Sequence, residues 1–155
     1  MKIFIMRHGE ADVCAASDAE RPLTARGQSD SVAVAKTCQA QYGALTIDKV
    51  LVSPYLRAQQ TWQEIENYCS AHDVQSCDDI TPYGQAEDVV EYVLALAEHE
   101  SLESVMLVSH LPLVGYLVAE FVVDIPAPMF TPSTLYCIEY DVVARRGEVL
   151  WSVRP

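Results

Sequence analysis

Positive charge is scarce in this chain. Ten Lys+Arg stand against 22 Asp+Glu, a formal net charge of −12. Such a surface repels phosphate backbones and anionic headgroups, so nucleic acid and membrane are excluded as partners. Cysteine pairs are missing too. Cys14, Cys38, Cys69, Cys77 and Cys137 are odd in number and include no C-x-x-C, so zinc and redox motifs have no support. Free thiols in a reducing compartment fit this usage. Long apolar runs are also absent. The N-terminal run is too short for a signal peptide and is broken by Arg7, and Leu111–Ala119 meets Glu120 too soon to span a membrane. There is no repeat, no low-complexity tract and no linker. The expectation is one cytoplasmic, globular domain over residues 1–155, half of them hydrophobic and sufficient for a sizeable core.

Short β-branched runs alternate with amphipathic segments. Strands are expected at Lys2–Met6, Lys49–Val52, Ser104–Val108, Thr134–Asp141 and Gly147–Val153. Thr24 is placed to cap a helix running to about Tyr42. A second helix is expected from Tyr55 to Ser70, with Ala58, Trp62, Ile65 and Cys69 on one face. A third covers Gln85–His99 and a fourth follows Pro112 to about Val122. The alternation predicts a layered α/β fold with a mostly parallel sheet. A hairpin signal at Ala144–Gly147 predicts an antiparallel edge.

Three strand ends carry the chemistry: IFIM-RHGE, VLV-SPYLR and VMLV-SHLPL. Ligands of open α/β sheets sit at the carboxyl ends of strands, so His8, Ser53 and His110 should gather at one rim. Arg7 adjoins His8, and Arg57 lies in the first turn after Ser53, where free backbone N–H groups add partial positive charge. Guanidinium forks suit phosphate oxygens. Only seven arginines and three lysines are present, so this concentration of charge implies a specific anion. A neutral histidine in an arginine cradle points to phosphoryl transfer through a phosphohistidine intermediate.

These segments, with RPLTARG at 21–27, resemble the histidine phosphatase superfamily, which includes the phosphoglycerate mutases. MRHGEA, DAERPLT, VLVSPYLRAQQT, ITPYG, VSHLPLVGYLVAE and PMFTPS resemble its SixA-type phosphohistidine phosphatase branch. The resemblance implies a three-layer phosphoglycerate mutase-like fold. Between Thr61 and Ser104 there is room for one helix, one short strand and a loop, so no roofing insertion is expected. It also implies roles. His8 is the nucleophile, Arg7 and Arg57 grip phosphate oxygens, His110 completes the cradle, and Arg21 is a further phosphate contact or pairs with Asp18 or Glu20. The substrate implied is phosphohistidine on a histidine-phosphotransfer domain or phosphocarrier protein, without metal or cofactor. A small-molecule phosphomonoesterase and a non-catalytic phosphoprotein-binding module are the alternatives.

Other positions carry plainer expectations. Gly9 is read as supplying backbone angles that a Cβ resists. Glu10 is either a proton donor or a solvated strand-end residue. His72 and His99 are expected at solvated helix ends, Trp62 and Val89–Val93 in the core, and Cys77 in packing. The proline-rich loop DIPAPMFTPST is expected to turn Met129 or Phe130 outward beside the cradle.

Overall fold

The computed structural model describes residues 1–155. β1 (Lys2–Arg7), β2 (Leu45–Val52), β3 (Cys69–Ser76), β4 (Ser104–Ser109), β5 (Leu135–Asp141) and β6 (Arg146–Val153) form one sheet in the order β3-β2-β4-β1-β5-β6. The β1–β4, β2–β4 and β2–β3 pairs are parallel, while β5 pairs antiparallel with both β1 and β6. Only β5 therefore runs against the rest. The mostly parallel sheet with an antiparallel edge is as the sequence predicts.

Helices α1 (Ala25–Tyr42), α2 (Leu56–Ile65), α3 (Ala86–Glu100) and α4 (Leu113–Val122) cover both faces. Strand alternation divides the core. Ile3, Ile5, Val105 and Leu107 face one apolar cluster with α3 and α4, whereas Phe4, Met6, Met106 and Val108 face another with α1 and α2. This two-sided burial explains why β1 and β4 read as continuous apolar runs. α1 begins where predicted: Thr24 accepts at Oγ1 from the Gly27 N–H, 3.0 Å away. It ends at Gly43, whose φ of 83° favours a residue without a Cβ.

Two boundaries differ from expectation. α2 stops at Ile65, followed by a 3₁₀ turn at Glu66–Tyr68, and Cys69 begins edge strand β3. His72 thus lies exposed on a strand, not at a helix end. β2 starts four residues before Lys49, and Lys49 itself is buried. Its ammonium is admitted because Asp73 and Glu100 meet it at 3.0 and 2.5 Å. The β5–β6 turn occupies 142–145, where Asp141 Oδ1 accepts from the Val143 and Ala144 N–H groups. Between α2 and β4 stand only β3, α3 and short turns, so no helical insertion is present there to roof the carboxyl ends of the central strands. No helix is long and apolar enough to cross a membrane.

Candidate active site

β1 and β4 end in register, Arg7 opposite Ser109, which brings His8 and His110 to one rim. Their ring centroids lie 5.0 Å apart. The His8 N–H donates to Ser109 O (2.9 Å), and the Arg7 N–H donates to Thr134 O (3.0 Å). Arg57 arrives from the first turn of α2, and its guanidinium lies over the Tyr55 ring. All three strand ends singled out in the sequence therefore converge.

The hydrogen bonds of His8 select one tautomer. Nδ1 lies 2.7 Å from Gly9 O, which only accepts, so Nδ1 carries the proton. Nε2 lies 3.2 Å from Arg57 Nε, which only donates, so Nε2 presents its lone pair. Burial pushes the His8 pKa down to about 3, with help from Arg57, Arg7 and Arg21 and against the Gly9 bond. The ring is neutral at pH 7, with Nε2 the available nucleophilic atom.

His110 is set by its neighbour. Ser53 Oγ accepts from the Tyr55 N–H (3.3 Å) and lies 2.6 Å from His110 Nε2. The Ser53 hydroxyl can donate to Nε2 or accept from it, so this contact positions the His110 ring without selecting its tautomer. His110 Nδ1 is buried without a partner, as is Nε of Arg7. Unpartnered buried nitrogens in a cationic site fit an oxyanion ligand. Burial, then His8, pushes the His110 pKa down to about 2. Burial also lowers Arg7, followed by repulsion from Arg57.

Asp18 is the residue that sequence reasoning missed as part of the site. A 3₁₀ turn at Asp18–Glu20 places its carbonyl 2.6 Å from Arg57 Nη1 and its Oδ2 3.2 Å from Nη2. Arg21 donates to Asp18 Oδ1 (3.1 Å) and to Asp12 O (2.7 Å), so the pairing weighed for Arg21 is with Asp18. Hydrogen bonding from Arg21 holds the Asp18 carboxyl below its ordinary range; burial opposes it, and Arg57 adds a smaller lowering. The local sequence marks Asp18 only as a partner for Arg21; the fold carries it to Arg57.

The RHG loop is held from two sides. The Gly9 N–H donates to Thr61 Oγ1 (3.0 Å), which in turn donates to Arg57 O (2.7 Å). Gly9 does not take a positive φ, which corrects the backbone-angle expectation. Its need is for space: a Cβ there would lie 2.6 Å from Gly27 O and 2.8 Å from Ser31 Oγ. Gly27 is as tight, with Glu10 O 2.1 Å from a built Cβ. Glu10 is neither free nor aimed at the cradle. Its Oε1 accepts from Thr24 Oγ1 (2.9 Å), and its carbonyl accepts from the Thr24 N–H.

The proline-rich loop divides its two apolar residues. Met129 is 81% exposed, but Phe130 is 1% exposed and packs 4.6 Å from the Tyr136 ring. The Phe130 carbonyl accepts from Arg7 Nη1 at 2.7 Å, so this core residue also fixes the first arginine. Phe130→Ala should cost about 3–5 kcal/mol of stability by emptying a packed site. Denaturant titration measures this, and a loss under about 1 kcal/mol would show that the ring is not part of the core.

Comparison with known proteins agrees with this geometry. The histidine phosphatase superfamily (branch 1) matches residues 3–90. Phosphohistidine phosphatase SixA of Escherichia coli (strain K12) is 40% identical, covering 100% of this chain and 94% of that protein. A SixA homolog of Haemophilus influenzae is 38% identical, covering 97% and 93%. The structure of the protein histidine phosphatase SixA complexed with tungstate superposes with a TM-score of 0.91 over 100% of this chain and 97% of that one. Strand order, the paired histidines at the strand tips and full-length similarity lead to one conclusion: this chain belongs to the histidine phosphatase superfamily, branch 1, in its SixA-type group.

Proposed function

We propose that this chain is a phosphohistidine phosphatase, hydrolysing the P–N bond of phosphohistidine on a signalling phosphotransfer domain or phosphocarrier protein. The observation that carries the reading is the lone pair of neutral His8 Nε2, held against Arg57 in a site whose Arg7 and His110 keep buried nitrogens without a partner. The relatives' names support the substrate class. The tungstate of the related SixA structure, a tetrahedral oxyanion like phosphate, supports an anion cradle here.

His8 Nε2 attacks phosphorus in line, and a P–N bond to the enzyme forms as the bond to the substrate imidazole breaks. Arg7, Arg57 and His110 donate to the phosphoryl oxygens, with Arg21 at the outer edge. The departing imidazole takes its proton from solvent. Water then attacks the phosphoryl group, releasing phosphate and neutral His8. The rim acid, Asp18, is kept ionised by its arginines and Glu10 is tied to Thr24, so neither is a ready proton donor. An alkoxide leaving group needs such a donor, but imidazole, with a pKa near ~6.5, leaves readily once protonated. The site should therefore favour P–N over P–O bonds. The arginines supply the charge that a metal ion supplies in other phosphoryl-transfer sites. One histidine phosphatase domain over residues 1–155 suffices for this chemistry, and five unpaired thiols suit the cytoplasm.

The test is a side-by-side assay of a phosphohistidine protein against common phosphate esters, with and without EDTA. Turnover should favour the phosphoprotein by at least about 100-fold in kcat/KM and be unchanged by EDTA. Preference for an ester, or loss in EDTA restored by a divalent ion, would defeat the proposal.

A further inference from the structure

An open groove of about 800 Å³ begins two residues beyond His110, where Pro112 starts α4. One wall is the α4 stripe of Pro112, Tyr116 and Glu120. The other is Tyr83 with Glu87 and Asp88 from the first turn of α3. Tyr83 and Tyr116 are 77% and 55% exposed. Glu91, one turn beyond Glu87, pairs with Arg145, but Glu87, Asp88 and Glu120 meet no cation. The groove is thus aromatic at its walls and acidic along its length, and its Pro112 end lies two residues along the chain from His110.

We propose that this groove receives a helix of the substrate phosphoprotein, one carrying lysine or arginine within about two turns of its phosphohistidine. The proposal rests on the phosphatase reading above and extends it to how the partner is held. Reach supports it: a phosphohistidine stands one side chain above its own backbone, so a partner whose phosphoryl group enters the cradle must lie along the adjoining rim. Pro112 to Glu120 spans about 12 Å of helix, the length of roughly two turns on a helix laid beside it. Charge supports it as well. An acidic groove beside a phosphate cradle repels free phosphate esters and attracts only a phosphoryl donor that brings its own cations. Exposed tyrosines supply rigid amphipathic contact area at low entropic cost.

The experiment compares kcat/KM on two kinds of substrate. One kind is a histidine-phosphotransfer domain and a phosphocarrier protein, each phosphorylated with phosphoramidate. The other is phosphoramidate itself. Two variants are used, Glu87→Gln/Asp88→Asn/Glu120→Gln and Tyr83→Ala/Tyr116→Ala, with thermal unfolding to confirm that these exposed changes leave the fold intact. Each variant should lose about tenfold in kcat/KM on a phosphoprotein, through KM, with phosphoramidate turnover unchanged or raised. Raising salt to about 0.5 M should remove the difference between wild type and the carboxylate variant. Variants within twofold of wild type on both phosphoproteins, or equal losses on phosphoramidate, would overturn the groove. Wild-type activity on phosphoramidate but on neither protein would overturn it too, leaving the chemistry standing. A wild type inactive on all three would bring down the phosphatase reading and the groove together.

Discussion

His8→Ala should abolish turnover, lowering kcat by about 10⁴-fold or more, while phosphate or tungstate still binds weakly. The expectation follows from the separation of roles in the cradle. Arg7 is fixed by Phe130 O, Arg57 by Asp18 and His110 by Ser53, so none of the groups proposed to grip phosphate oxygens depends on His8 alone for its position. Removing the imidazole deletes the atom that would bond to phosphorus and little else. Rapid quenching with labelled substrate should trap an acid-labile, base-stable label on the wild-type protein and none on the variant. Retention of activity in His8→Ala would sink the covalent mechanism. Because burial holds the His8 pKa to about 3 in the free protein, the nucleophile stays unprotonated throughout the neutral range. The pH profile of labelling should accordingly show no loss near ~6.5, where an ordinary histidine gains its proton.

Arg57→Lys, which conserves charge, should still lower kcat by about 10²- to 10³-fold. Arg57 uses three different nitrogens at once: Nε toward His8 Nε2, Nη1 to the Asp18 carbonyl and Nη2 to its carboxylate. The remaining N–H groups of that fixed fork are then aimed by the protein. A lysine ammonium is a single point on a flexible stem and cannot hold both the Asp18 turn and the His8 lone pair. The loss should fall on phosphoenzyme formation measured by rapid quench, with a drop in thermal stability beside it, because Arg57 is buried and its contacts to His8 and Asp18 are lost. A kcat within about fivefold of wild type would show that charge alone, without the fork, is what this position supplies.

The legible parts of the sequence were those where burial and chemistry leave a local mark. β1 and β4, buried on both faces, read as unbroken apolar runs, and the polar tips that follow them proved to meet at one rim. Thr24 was readable because a cap is a local hydrogen bond. β3 was not, since Cys69–Ser76 is an edge strand with one neighbour and few buried residues, and so has little apolar alternation to display. Cys69 even falls four residues after Ile65, the spacing of a continuing helix, and its Sγ lies 3.3 Å from Ile65 O. Gly9 was recognised as necessary but for the wrong cause, because the crowding by Gly27 O and Ser31 Oγ arises from residues distant in sequence. Asp18 is legible in the sequence only as a partner for Arg21, three residues away; its pairing with Arg57, 39 residues on, needs the fold. Of Met129 and Phe130, expected to include at least one outward side chain, Met129 is the exposed one and Phe130 packs inward, since a proline-bounded loop can fold an aromatic inward as readily as outward.

β1 pairs only with β4 and β5, so Lys2 lies against Ser104 on one side and Glu139 on the other. During synthesis the strand that carries Arg7 and His8 is made before the other five of its sheet, and it has nothing to pair with until about 100 more residues exist, a wait of roughly 5–20 s at ordinary elongation rates. β2 likewise gains its partners β3 and β4 only later. The apolar segment Ile3–Met6 therefore spends the whole of that interval unpaired, a strand edge in search of a mate and a natural client for a chaperone. The phosphate cradle is among the last features that the ribosome makes possible. A nascent chain interrupted before β4 would have its histidine and both neighbouring arginines, and no site in which to use them.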